Sequence, residues 1–310
     1  MRFRSTPQEI TGSIVPLITP FTDDGKLDED GLASLVEWQI AAGTHGISIG
    51  GSTGEPSAQT VDERIRAMHA VGAAVDDHVP FIAGTGSAKL DETLELTAAA
   101  VDAGADAALV ITPYYARPTQ QALYEWYSTV AQQFPELPII AYNVPSRTAV
   151  EIEPETIACL HRDVDNVVGI KETTRDFEHF SRVIHAAGED LLVWSGIELL
   201  CLPLLALGGV GFISATANIA PASCARMYEL WLGGDLDGAR KIHYELHPIV
   251  DALFVETNPT TLKWVLAHED RLVSPHVRPP LIETTAAGIE RVSELLEQST
   301  VVLDRERAIR

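Results

Sequence analysis

An apolar run ends in a lysine. In Val167, Val168, Gly169, Ile170, Lys171, a strand's period of two puts Lys171 on the face of Gly169 and Thr173 and puts Glu172 on the other. An amine enclosed in such surroundings is favoured in its neutral form and is able to attack a carbonyl carbon. The competing role is a core ion pair, for which the adjacent Glu172 faces the wrong way. Tyr142, followed by Asn143, Val144, Pro145, Ser146 and Arg147, offers a phenol to carry a proton and a guanidinium to grip a carboxylate. The segment GGSTGEP, residues 50–56, holds small residues that leave backbone N–H groups free to form a concave anion site ahead of a helix. Gly51 and Gly54 would equally serve a tight turn. Tyr114 and Tyr115, after Pro113, read in isolation as packing or interface residues.

Other chemistries find little support. The ten histidines are scattered without HExxH or another metal-ligand spacing, so no metal is expected. Gly208, Gly209 and Gly211 look like a phosphate loop but precede a strand, and a turn is the better reading. Cys159, Cys201 and Cys224 form no CxxC or Cys/His cluster and read as reduced core cysteines. A net charge of −22, from 44 acidic and 22 basic residues, argues against a phosphate-backbone ligand, which needs a basic footprint. Of the basic residues five are Lys and seventeen Arg, a balance that suits a high-salt cytosol or simply a solubilising acidic surface. The opening MRFRSTPQEITGS lacks the apolar core of a signal peptide. The one long apolar run, 199–220, is broken by Pro203 and the glycines and reads as a buried helix turning into a strand. A cytoplasmic protein with neither nucleic-acid nor membrane partner is expected.

The elements that must position these groups recur at intervals of roughly 25 residues, each an apolar strand followed by a helical segment. The strands read as SIVPLITPF from Ser13, GISIGG from Gly46, VPFIAGTG from Val79, AALVITP from Ala107, PIIAYNVP from Pro138, VVGIKET from Val167, LLVWSG from Leu191 and GFISATAN from Gly211. Asp28, Thr60 with Glu63, and Pro154 mark helix starts. Strict alternation implies a parallel sheet, and no GxGxxG follows the first strand, so the expected fold is an α/β, (β/α)₈ TIM barrel rather than a doubly wound sheet. The barrel is expected over residues 1–232, with a C-terminal helical extension over 233–310 packed on it. Helical stretches after the eighth strand start from Ala222, Leu236, Thr257 and Glu283. In such a barrel the polar residues at the C-terminal strand ends form the active site.

GGSTGEP, PYYARPTQQALY, YNVPSRTA, VVGIKETT and FVETNP, in this order over residues 12–265, together resemble the dihydrodipicolinate synthase and N-acetylneuraminate lyase family. The resemblance implies a lyase in which Lys171 forms an imine with pyruvate and Tyr142 transfers protons. It puts the hydroxyl relay on Ser52 and Tyr115, the latter reaching across a dimer interface, and the pyruvate carboxylate on Thr53 and nearby N–H groups such as that of Gly54. Arg147 would bind the carboxylate of the aldehyde partner, aspartate semialdehyde, and Ile213 would lie near the imine. Thr173, on the face of Lys171, would hydrogen-bond the acceptor hydroxyl. A homotetramer is expected, with pyruvate and an aldehyde as small-molecule substrates. The imine nitrogen is itself the electron sink, so no cofactor is expected.

The chain departs from the synthase pattern at Ser52, usually Thr, and at Ala149, usually Gly, and strand seven continues as GIELLCLP. Together with DFEH, this last segment is similar to a branch of 2,4-dihydroxyhept-2-ene-1,7-dioate aldolases, which would use succinate semialdehyde. Arg147 would serve either semialdehyde. A sugar-acid dehydratase using the same imine, and a silent barrel that merely binds a 2-oxo acid, are the remaining readings.

Overall fold

The structure, a computed structural model, describes residues 6–301. Eight strands, β1 (Gly12–Pro16), β2 (Gly46–Ile49), β3 (Phe81–Gly84), β4 (Ala107–Ile111), β5 (Ile139–Asn143), β6 (Val167–Glu172), β7 (Leu192–Ser195) and β8 (Gly211–Ile213), follow one another in chain order in a closed barrel. Each falls within the run expected for it except that β1 begins one residue earlier, at Gly12. The helices are α1 (Glu29–Ala41), α2 (Val61–Val75), α3 (Leu90–Asp102), α4 (Gln120–Gln133), α5 (Pro145–Thr148), α6 (Pro154–Asp163), α7 (Phe177–Ala187), α8 (Cys201–Ala206), α9 (Pro221–Leu232), α10 (Leu236–Glu245), α11 (His247–Leu253), α12 (Thr260–His268) and α13 (Ala286–Glu297). The expected start signals act as such. Asp28 accepts from the Gly31 N–H at 2.9 Å, Thr60 and Glu63 close a capping box, and Pro154 occupies the first turn of α6.

Beyond β8, where one helix was expected from Leu236, the chain makes two, α10 and α11. Pro248, in the first turn of α11, has no N–H to continue the preceding ladder. Residues 302–310 of the expected extension, and 1–5 of the expected barrel, lie outside the described residues. The three cysteines are free, as expected, but Cys159 is only partly buried, unlike Cys201 and Cys224. Among the described residues no helix is long and apolar enough to cross a membrane.

The chain forms two compact units, one holding Pro80–Ile213 with residues 6–11, the other Gly12–Val79 with residues 214–301. In the first, Ile139 and Ala141 of β5 and Val167 and Ile170 of β6 join a core with Leu123 and Tyr127 of α4, Ile157 and Leu160 of α6, and Phe180 and Val183 of α7. Alternation along β5 turns Ile140 and Tyr142 to the opposite, inner face. Strand β6 does not keep its phase throughout. Val167 pairs with Ile139 and Gly169 pairs with Ile140, so Val168 is passed over in the register. From there Ile170 and Glu172 face the helices, and Gly169 and Lys171 face inward.

In the second unit β1 and β2 pair in parallel, and the segment after β8 is stitched to them by side-chain amides. Asn218 donates to the Pro16 carbonyl at 2.9 Å and accepts from the Ile18 N–H at 3.2 Å, while Gln39 of α1 donates to the Ala217 carbonyl at 2.9 Å.

Trp194 of β7 is the register partner of Lys171 and has no exposed surface. Its indole N–H reaches the Ile10 carbonyl at 3.0 Å, and its ring fills the space that Gly169 leaves. A Cβ at residue 169 would stand 2.6 Å from Trp194 Cζ3 and 2.3 Å from the Leu192 carbonyl oxygen. Gly169→Ala is therefore expected to cost about 2–3 kcal/mol, as overpacking in a filled core does. Urea unfolding measures this, and an unchanged midpoint would show that β7 yields at no cost.

Candidate active site

Lys171 is buried, and its Nζ lies 4.4 Å from the centroid of the Tyr142 ring, over its face. The two are register partners on β5 and β6, so the strand pairing itself brings the amine to the phenol. No carboxylate pairs with Lys171 among the described residues, which removes the core ion pair as its explanation. Gly196, just past β7, was not singled out from sequence although its role is steric. A Cβ there would sit 2.7 Å from Lys171 Cε and 2.2 Å from Thr173 Cγ2, so the lysine chain runs through the space that this glycine leaves open.

Thr173 lies beside them, but its hydroxyl donates to the Asn143 carbonyl, leaving its oxygen lone pairs to accept from an acceptor hydroxyl. Ile213 closes β8 in the same unit and is buried. Tyr115, in the loop after β4, is 95% exposed with a left-handed φ of 71°, an uncommon backbone for an aromatic residue. Arg147 is exposed at the end of the short α5. Ala149, directly after it, has a φ of 56°. The departure from glycine noted in the sequence therefore falls where the backbone is left-handed and a Cβ is costly.

The helix-facing side of the same strands is polar too. Asn143 and Glu172, fully buried, are register partners one step beyond Tyr142 and Lys171. The Asn143 amide donates to both Glu172 oxygens, at 3.1 and 2.9 Å, and the Thr174 N–H donates to Oε1 at 2.8 Å. His179 of α7 brings Nε2 to 3.2 Å from Glu172 Oε2. Its pairing with a carboxylate across the strand could not be read from sequence, because it depends on how α7 docks.

Ser52, Thr53 and Gly54 belong to the other unit, where GGSTGEP ends β2 not in a helix start but in two short 3₁₀ turns, Ser52–Gly54 and Pro56–Ala58. The loop is firmly held. Thr53, buried, accepts from the Asn258 amide at 3.0 Å, which places the FVETNP motif against the STGEP motif. The Gly54 carbonyl accepts from Thr19 Oγ1 at 2.8 Å and from the Gln59 amide at 2.5 Å. A side chain at 54 would stand 3.0 Å from Thr19 Oγ1 and 3.3 Å from the Leu17 carbonyl oxygen.

Glu55, with a left-handed φ of 55°, turns its carboxylate inward to Lys263 of α12, at 2.5 Å, and to the Arg278 N–H at 3.0 Å. Burial pushes the Lys263 amine down to about 8, against the pull of Glu55. The same amine donates to the His276 carbonyl at 2.9 Å and lies 4.0 Å over the Phe21 ring centroid. Arg278 completes the cluster, donating to Glu63 at 2.8 and 2.6 Å, to the Ala58 carbonyl at 3.0 Å and to the Gly25 carbonyl at 3.1 and 2.7 Å. Its hydrogen bonds hold the Glu63 carboxyl at about 2, although burial opposes them.

A (β/α)₈ barrel with a buried amine against a phenol at the C-terminal ends of neighbouring strands is an arrangement suited to a class I lyase. The chain belongs to the dihydrodipicolinate synthetase family, which it matches over residues 9–299. It is 46% identical over 287 residues to the 4-hydroxy-tetrahydrodipicolinate synthase of Thermus thermophilus, covering 93% of this chain and 95% of that one. Against the enzyme of the same name from Methanopyrus kandleri, identity is 45% over 94% of this chain and 95% of the other. The crystal structure of dihydrodipicolinate synthase from Aquifex aeolicus superposes with a TM-score of 0.90 at 38% identity, over 94% of this chain and 99% of that chain. The 4-hydroxy-tetrahydrodipicolinate synthase of Methylacidiphilum fumariolicum gives a TM-score of 0.91 at 32% identity, over 97% and 99%.

Two consequences can be measured. Gly196→Ala forces Lys171 Cε or Thr173 to move, so borohydride trapping of a 2-oxo acid on Lys171 is expected to fall by about tenfold or more while the fold is kept, as small misplacements of a reacting group do. Trapping at the wild-type rate would show that the lysine has another path. The Glu63 carboxyl, held at about 2 against an ordinary 4.5, adds stability that is complete above pH 4.5 and is lost as pH falls toward 2. Glu63→Gln is expected to be less stable at neutral pH and to show a shallower loss of melting temperature between those two pH values. An acid limb as steep as that of wild type would place the titration elsewhere.

Proposed function

We propose that the protein is a 4-hydroxy-tetrahydrodipicolinate synthase that joins pyruvate to aspartate semialdehyde through an imine on Lys171. Among the readings open from sequence, this narrower one is favoured over the heptenedioate aldolase, because curated relatives at 40–46% identity over nearly the whole chain carry that synthase name. The observation that carries the chemistry is the buried Lys171 amine over the Tyr142 ring with no carboxylate partner among the described residues.

In this reading Nζ attacks the C2 carbonyl of pyruvate and water leaves, giving the imine. Loss of a methyl proton gives the enamine, whose carbon attacks the aldehyde carbon of the semialdehyde and forms the new carbon–carbon bond. The amino group of the semialdehyde then attacks the imine carbon, which frees Lys171 and closes the ring. Tyr142 carries the protons that these steps move. Ser52 and Tyr115 relay them, Thr53 and the Gly54 N–H hold the pyruvate carboxylate, and Arg147 holds that of the aldehyde. Ile213 bounds the imine, and Thr173 accepts from the acceptor hydroxyl. The exposure and left-handed backbone of Tyr115 support its serving a neighbouring subunit, within a homotetramer. No cofactor or metal enters any step.

Reduction with borohydride in the presence of pyruvate, followed by peptide mapping, tests the reading. A pyruvyl adduct on the Lys171 peptide, absent in Lys171→Ala, together with turnover of aspartate semialdehyde faster than succinate semialdehyde, is expected. No adduct would overturn the imine, and preference for the succinate compound would restore the aldolase.

A further inference from the structure

The helix-facing carboxylate behind Lys171 takes no part in the chemistry just described, yet it is built with care. Glu172 is bonded to Lys171 through one peptide unit and to the strand of Tyr142 through the Asn143 amide, at 3.1 and 2.9 Å. Asn143 is fixed in turn, its Oδ1 accepting the Ile152 N–H at 3.0 Å and its main-chain carbonyl accepting the N–H and hydroxyl of Thr173. A carboxylate with no exposed surface is destabilising unless its charge is met. The nearest side chain able to meet it with a positive charge is His179, at 3.2 Å.

The groups that face His179 come from three elements. Glu172 lies on β6, Glu151 on the segment before α6 at 3.7 Å, and Asp176 at the N-cap of its own helix. Burial, the largest single influence, pulls the imidazole down, but the contact and charge of Glu172, then Glu151 and Asp176, outweigh it and leave His179 above its ordinary 6.5.

We infer that Glu172 and His179 form a positioning pair, which fixes the ends of β5 and β6 so that Lys171 stays over Tyr142, more tightly when the imidazole carries its proton. The inference rests on the proposed role of Lys171. With a charged His179 the carboxylate is anchored to α7 as well as to β5. With a neutral one the contact loses its charge and keeps at most an uncharged hydrogen bond beside the Asn143 and Thr174 donors. A displacement of about 1 Å at a reacting group costs about 100-fold in rate, so the smaller play allowed here is expected to cost about three- to tenfold.

The test is the rate of borohydride-trapped pyruvate imine on Lys171 across pH 6 to 9, about the range in which a histidine raised above its usual value titrates. Wild type is expected to slow on the alkaline side of an ionisation that His179→Gln lacks, with the KM for pyruvate unchanged in the variant. His179→Lys, whose amine ordinarily titrates well above an imidazole, is expected to hold the fast rate to a higher pH than wild type. Superimposable profiles for wild type and folded His179→Gln would overturn the pair, as would a His179→Lys profile that declines with that of wild type. If glutamine does not fold, the lysine variant decides alone. Absence of any adduct in wild type at every pH is a different failure, that of the imine itself, and the pair falls with it.

Discussion

An amine buried in a parallel strand is the constraint around which this molecule is arranged. Burial disfavours charge, so a lysine in a core needs either a carboxylate partner or other surroundings that accommodate its amine. The two buried lysines of this chain show both solutions. Lys263 is paired with Glu55 and bonded to the His276 carbonyl, a structural arrangement. Lys171 has an aromatic face and a glycine-lined passage instead. The contrast is physical evidence of different work, because the same side chain in the same kind of surroundings has been given opposite partners.

The Glu55–Lys263 pair supports the loop that is proposed to act with Lys171. Glu55 follows directly on Ser52, Thr53 and Gly54, and its carboxylate is clasped by Lys263 and by the Arg278 N–H. Arg278 also fastens Glu63, the capping residue of α2. The GGSTGEP loop is thus held by α12 and by the chain that follows it, and the helices beyond β8 are part of the loop's support. Backbone N–H groups are useful anion donors only when they do not move with the anion.

The barrel was legible because each strand is a short apolar run closed by polar or glycine-rich residues, a signal local in sequence. Lys171 and Tyr142 were legible for a similar reason, since a lysine at the end of an apolar run and a tyrosine at the end of another declare themselves. What the sequence did not show is contact at a distance. Glu55 meets Lys263 some two hundred positions away, and nothing in either neighbourhood marks the pairing. Gly196 looks like any turn glycine until the side chain crossing it is known. The GGSTGEP loop was read as leading into a helix, whereas 3₁₀ turns intervene, because a run of small residues fixes no particular backbone.

The passed-over Val168 has a further meaning when the chain is considered as a string whose residues can be counted off. Val167 faces the helices, and simple counting by twos from there would send Lys171 outward and Glu172 inward. The one unmatched residue reverses that parity. A single-codon deletion at 168 would remove the unmatched residue and leave Lys171 facing inward by plain alternation, whereas flattening the irregularity with Val168 retained would exchange an amine for a carboxylate at the heart of the barrel. In this strand, the identity of the protein is carried by an odd number.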